Sequence, residues 1–264
     1  MAQVWNEGIP AAGNGIAADV ADIEENLQFL SAWAKERRSI FTYNGGTTAY
    51  TIKCKSAFYH CKDKVCWWDA ELTTDAIGTP VASDWYYLYL DNSGITSGTE
   101  ITKDELIWSS TEPAWATAYA GWYNGDDRCI FAVRTNSTPN NILEFFHDGD
   151  FVLFADQIAV QTSTNLGTSF TDSTALTMPI FSTKALVVFH MDYVNGQSTL
   201  YWRTNGQTGT TGHIACEVAA GVTIADNAVQ VITDSGHKLE IKEGAATNNT
   251  ADIYENGWYF PIGL

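Results

Sequence analysis

The rhythm of hydrophobic and polar positions changes once along the chain, near residue 40. Before that point, in DVADIEENLQFLSAWAKERR, the apolar residues Val20, Ile23, Leu27, Leu30 and Ala34 recur at helical spacing on one stripe. Asp19 stands as the N-cap, acidic residues lead, and Lys35, Arg37 and Arg38 close the segment, an order that suits the helix dipole. Asp22 occupies the place where a capping box carries Glu or Gln. The pattern predicts one amphipathic helix of about five turns, whose stripe needs a partner to bury it. The preceding WNEGIPAAGNGIAA is rich in Gly, Ala and Pro and has no periodicity, which predicts an extended segment carrying Trp5.

From Ile40 onward short aromatic or β-branched runs alternate with turn residues. AYTIKCKSAFY, DWYYLYLDNSG, RCIFAVRTN, NILEFFHDG and FVLFADQIAVQ read as strands, and after a Ser/Thr-rich passage over 161–176 so do ALVVFHMDYVNG, STLYWRTNG, HIACEVAAG, AVQVITDSG, HKLEIKEG and GWYFPIGL. Asn195-Gly196 and Ser235-Gly236 predict hairpin turns. The expected fold is mainly β. An N-terminal extended segment and short α-helix over 1–39 precede two antiparallel, jelly-roll-like β-sandwich domains over 40–159 and 160–264.

Composition narrows the partners. Asp and Glu outnumber Lys and Arg by 31 to 14, for a formal net charge of -17, so attraction to a nucleic-acid backbone or an anionic membrane is not expected. No run is long enough to cross a membrane as a helix, and MAQVWNEGIP lacks the basic and apolar regions of a secretory signal, which predicts synthesis in the cytoplasm. KDEL at Lys103 to Leu106 is internal and cannot serve as a C-terminal retention address.

The candidate chemistry is sparse. In GWYNGDDRCIFAV, Asp126, Asp127 and Cys129 are residue types used by hydrolases and metal sites, yet NGDD between two strand flanks is also a turn. Two-carboxylate catalysis needs the acids on opposite sides of a bond, whereas neighbours on one strand face opposite ways, so the turn reading is preferred, with calcium binding as the alternative. Cys54, Cys61 and Cys66 lack the second closely spaced ligand pair of a zinc site. They read as free thiols, with a Cys54–Cys66 disulfide as the alternative in an oxidising exterior.

The sequence contains no P-loop, no G-x-S-x-G and no H-E-x-x-H, and Gly206, Gly209 and Gly212 lack the strand-to-helix setting of a phosphate cradle. The five histidines are scattered; His190 lies in an apolar run where a core or edge position is expected. No catalytic residue, metal or cofactor is assigned. What stands out is the aromatic content of 13%, with ten tryptophans. Trp67 and Trp68 are consecutive, so one faces in and the other out. Trp68, Trp115 and Trp122 are the candidates for stacking on a ligand such as a sugar ring.

The order DWYYLYL, SSTEPAW, GWYNGDDRCIFAVRTN, NNILEFFHDGDFVLFAD resembles a β-rich domain of tailed-phage and prophage virion proteins encoded among tail and fibre genes. WNEGIPAAGNGIAADVADIEENLQFL is similar to the Trp- and Pro-bearing start of phage neck or fibre proteins that dock onto the particle. The likeness spans roughly residues 1 to 157. Relatives carry basic residues ahead of the Arg-Ile strand where this chain has Asp126, Asp127 and Cys129, so a shared ligand does not carry over. The resemblance implies a non-enzymatic virion structural protein, made in the bacterial host and located in the virion. It would project from the tail, neck or fibre region and contribute to host attachment. It also implies docking through Trp5, Ile9 and Pro10 onto other virion proteins, and a homotrimer joined through Ile23, Leu27 and Leu30. The alternatives are a carbohydrate-binding module using exposed tryptophans and a glycan-cleaving enzyme pairing Glu144 with an Asp from another strand.

Overall fold

The structure, a computed structural model, describes residues 38–45, 50–137, 141–210, 212–219, 224–247, 249–261 and 264, together with Val20 and Ile23. The chain divides into two compact units, Met1–Leu143 with Ile262–Leu264, and Glu144–Pro261. Strands dominate both.

The first unit holds β1 (Phe41–Tyr43), β2 (Ile52–Cys54), β3 (Ala57–Cys61), β4 (Lys64–Trp68), β5 (Leu72–Thr73), β6 (Trp85–Leu90), β7 (Thr99–Glu100), β8 (Leu106–Ser109), β9 (Ala114–Ala116), β10 (Gly121–Asn124) and β11 (Asp127–Arg134). They form a five-stranded sheet in the order β8-β6-β11-β10-β9 and two three-stranded sheets, β1-β2-β5 and β3-β4-β7. Pairing is antiparallel except between β4 and β7. Residues Tyr86 to Leu90 of β6 and Arg128 to Val133 of β11 are buried on both faces, which is why WYYLYL and RCIFAV are continuous runs rather than alternations.

Phe41 stacks on Phe131 with centroids 4.1 Å apart, tying β1 to the large sheet. Tyr59 stacks on Trp68 at 5.8 Å, and the Arg128 guanidinium sits 5.4 Å over Tyr59 while donating to the His60 carbonyl at 2.6 Å. The three sheets therefore share one core. The internal KDEL forms a 3-10 turn, Lys103–Glu105, ahead of β8, closed by a capping box between Thr102 and Glu105.

The second unit holds β12 (Phe145–Asp148), β13 (Phe151–Asn165), β14 (Thr171–Asp172), β15 (Lys184–Asp192), β16 (Ser198–Thr204), β17 (His213–Val218), β18 (Ile224–Ile232), β19 (Leu239–Glu243) and β20 (Thr250–Tyr259). These make two antiparallel sheets, β12-β13-β20-β15-β18 and β14-β19-β16-β17. In β15 the alternation is complete: Ala185, Val187, Phe189 and Met191 are buried, and the residues between them lie on the other face. Phe189 stacks on Trp202 of β16 at 6.2 Å, so the two sheets face each other across a core that includes Leu200, Leu239, Ile241 and Ile253.

Several expectations are corrected. The domain boundary near residue 160 falls inside β13, and the division into units comes after Leu143 instead. The Ser/Thr-rich passage is strand as far as Asn165, because β13 continues along β20 through several bulges. Neither Asn195-Gly196 nor Ser235-Gly236 makes a hairpin. β15 and β16 lie in different sheets, as do β18 and β19, so both turns are crossings.

At the first crossing the Asn249 side chain accepts from the amides of Val194 and Asn195 at 2.8 and 3.1 Å and donates to the Gly196 carbonyl at 3.1 Å. At the second, Asp234 accepts from the amides of Gly236 and Lys238 at 3.0 and 2.7 Å. AYTIKCKSAFY is two strands, β2 and β3, broken at Lys55 and Ser56. Of the expected N-terminal helix, Val20 and Ile23 are helical and exposed. Leu27, Leu30, Trp5, Ile9 and Pro10 lie outside the described residues.

Candidate functional site

The Asp-Asp stretch is a two-residue hairpin turn. Asn124 pairs with Asp127, leaving Gly125 and Asp126 at the tip, and Gly125 has the positive φ of +63° that such a turn requires at its first central position. Asp126 pairs with Lys62 at 2.8 Å, and Asp127 accepts from the Asn92 amide at 2.9 Å. Each carboxylate is thus bound to a different neighbour, and the pair does not converge on one point.

All five cysteines are free and buried. Burial pushes the Cys61 thiol up to about 11 and Cys216 up to about 12, raises Cys54 and Cys66 further still, and holds Cys129 well above the ordinary thiol range. Protonated, enclosed thiols are poor nucleophiles. Among the described residues, no grouping with metal-ligand spacing includes a cysteine.

The three tryptophan candidates separate. Trp68 is fully enclosed, and its indole N–H donates to the carbonyls of Lys55 and Cys54 at 2.7 and 3.2 Å, so it cannot stack on a ligand. Trp67, on the opposite face of β4, stacks instead on its cross-strand partner Phe58 at 6.2 Å. Trp115 and Trp122 are directly opposed on β9 and β10, with centroids 5.7 Å apart and planes at 72°. β9 is the edge of its sheet, and Trp115 is 44% exposed. A large aromatic surface held on a strand edge by a second indole is suited to stacking against the apolar face of a ring.

In the second unit, GQTGTTG is the hairpin loop between β16 and β17 rather than a phosphate cradle; Trp202 pairs with His213 across it, and the Arg203 guanidinium holds the Gly209 carbonyl at 2.5 Å.

The denser polar constellation lies on the outward face of the β20-β15-β18 part of the larger sheet. Strand alternation places His190 and Asp192 on that face, because Phe189 and Met191 occupy the core. Register does the rest, setting Asp226 of β18 and Asp252 of β20 directly opposite His190 on either side. His190 Nδ1 lies 2.5 Å from Asp226 Oδ1, and Nε2 lies 3.3 Å from Asp192 Oδ1. The Tyr254 hydroxyl donates to Asp252 Oδ2 at 3.1 Å.

Partial burial pulls the His190 ring down in pKa. The hydrogen bond and charge of Asp226, joined by Asp192 and Asp252, outweigh that pull, and the imidazolium is favoured overall. Burial and the bond to Asp252 raise the Tyr254 phenol.

No protein-family model matches this chain, and no curated protein does.

The members of the His190 group are spaced over three strands, so no local motif joins them, and His190 lies on the outward face of an inner strand rather than in the core or at an edge. One signal was present. His190 and Asp192 are two residues apart in a run whose intervening members are apolar, so they share the polar face of one strand. Glu144, considered above for glycan cleavage, is exposed immediately before β12.

Proposed function

We propose that the chain is a non-enzymatic structural protein of a tailed-phage virion that contributes to host attachment by stacking a surface glycan on Trp115 and Trp122. The observation that carries this reading is the edge-strand pair itself, an exposed indole braced by a second one, since an exposed tryptophan forgoes the burial that most large aromatics achieve. In this reading the second unit is an antiparallel β-sandwich, the residues around Trp5, Ile9 and Pro10 dock on another virion protein, and the Ile23, Leu27 and Leu30 stripe joins three copies. The resemblance of residues 1 to 157 to phage tail and fibre proteins supports it, and so does an acidic composition suited to a particle surface.

The test is adsorption of purified protein to host cells and to immobilised host polysaccharide. Trp115→Ala should reduce binding about fivefold or more, because stacking on an aromatic ring contributes about 1 kcal/mol or more, while the near-ultraviolet circular dichroism of the fold persists. Undiminished binding by Trp115→Ala and Trp122→Ala together would remove the platform from the proposal.

A further inference from the structure

We propose that His190, Asp192 and Asp252 form a binding site for a divalent transition-metal ion, zinc being the ion they fit best, on the outward face of the second unit. One ligand atom from each of the three lies within 4.8 Å of those of the other two. His190 Nε2 and Asp192 Oδ1 are already 3.3 Å apart, about the separation of two donors that each sit ~2 Å from a tetrahedral ion. The strands that carry the three residues pair antiparallel around the site, Val187 to Asp192 of β15 running opposite Glu255 to Thr250 of β20.

The histidine is arranged as a metal ligand is. A ligating imidazole commonly donates its other N–H to a carboxylate, which fixes the tautomer and raises the basicity of the ligating nitrogen. Here Asp226 takes Nδ1 at 2.5 Å, leaving Nε2 as the nitrogen on the side of Asp192. Tyr254, bonded to Asp252 Oδ2, orients that carboxylate in the same outer-shell manner.

The donor set also selects the ion. Calcium and magnesium take oxygen ligands, whereas one imidazole with two carboxylates suits zinc and its first-row neighbours. Carboxylates brought side by side across neighbouring strands repel, and a dication seated between them relieves that repulsion. The remaining coordination positions open towards solvent.

The experiment uses the full chain, stripped with a chelator and titrated with zinc chloride by calorimetry, with the melting temperature followed in parallel. Binding of one ion per chain, accompanied by a rise in melting temperature, is expected. His190→Gln and Asp252→Asn should each abolish that binding, Asp226→Asn should weaken it about ten- to a hundredfold, and His213→Gln, outside the cluster, should leave it unchanged.

Circular dichroism checks that each variant is folded. Cobalt absorption on the unmodified chain gives a readout that needs no variant: visible bands of nitrogen and oxygen ligation support the site, and a thiolate charge-transfer band places the ion on cysteine and overturns it. Failure of the unmodified chain to bind zinc, or binding retained in both His190→Gln and Asp252→Asn, also overturns it. So does calcium binding as tight as zinc and indifferent to His190→Gln.

Discussion

Asp91, one residue beyond β6, accepts hydrogen bonds from the Ser93 hydroxyl at 2.6 Å and the Ser93 amide at 2.9 Å. The hydroxyl is the main reason its carboxyl titrates below the usual range; partial burial opposes the shift, and the amides of Ser93 and Gly94 add to it. A carboxyl lowered on folding contributes stability that is present above its unfolded value of about 3.9 and is lost as the pH falls through the lower folded value. Asp91→Asn should therefore lower the melting temperature at neutral pH, with the difference from the unmodified chain closing in strong acid. Thermal melts followed across the acid range check this, and a difference independent of pH would count against it. That Trp67 and Trp68 face opposite ways follows from their adjacency, but which of them is enclosed depends on Tyr59 and on the Lys55 and Cys54 carbonyls, and neither is marked in the local pattern.

At the level of elements, the strands were legible and their partners were not. Val, Ile and aromatic runs announce a strand because the pleated backbone favours them, and alternation as regular as that of KALVVFHMD shows which residues share a face. Asn-Gly and Ser-Gly announce only that the chain turns. Whether the next strand joins the same sheet or the one opposite is decided by contacts far along the sequence, such as Asn249 holding the 194–196 turn. Gly257 is a further case. Its position in β20 looks unremarkable in sequence, yet a Cβ there would come within 2.1 Å of the Val152 carbonyl oxygen and 3.0 Å of the Leu153 Cα on β13. Gly257→Ala has to part the two strands or bend one of them. The expected loss is about 1–3 kcal/mol or more, measured by urea denaturation, and a variant as stable as the parent would show that the strands yield at little cost.

For the whole molecule, composition set limits without locating anything. A net charge of -17 argues against nucleic-acid partners, but it does not reveal that three carboxylates gather around one imidazole. The proposed assembly is tested at this scale. Light scattering of the full chain should give the mass of a trimer, and Ile23→Asp with Leu27→Asp should reduce it to that of one chain; a monomeric parent at micromolar concentration rules the trimer out. The division of the chain after Leu143 was hidden because the linking residues are themselves strand-like, with Ile142 bridged to Thr135 and Phe145 paired to Phe154. The second unit begins with β12 and ends with β20, and both lie along β13. Phe151 pairs with Tyr259, the Phe260 amide donates to the Asp150 carbonyl at 2.7 Å, and His147 stacks on Phe260 at 4.9 Å. The polypeptide thus enters and leaves this unit by the same doorway. A fluorophore pair placed at the two ends of this unit would therefore report its opening, because both ends come apart only when β13 releases its neighbours.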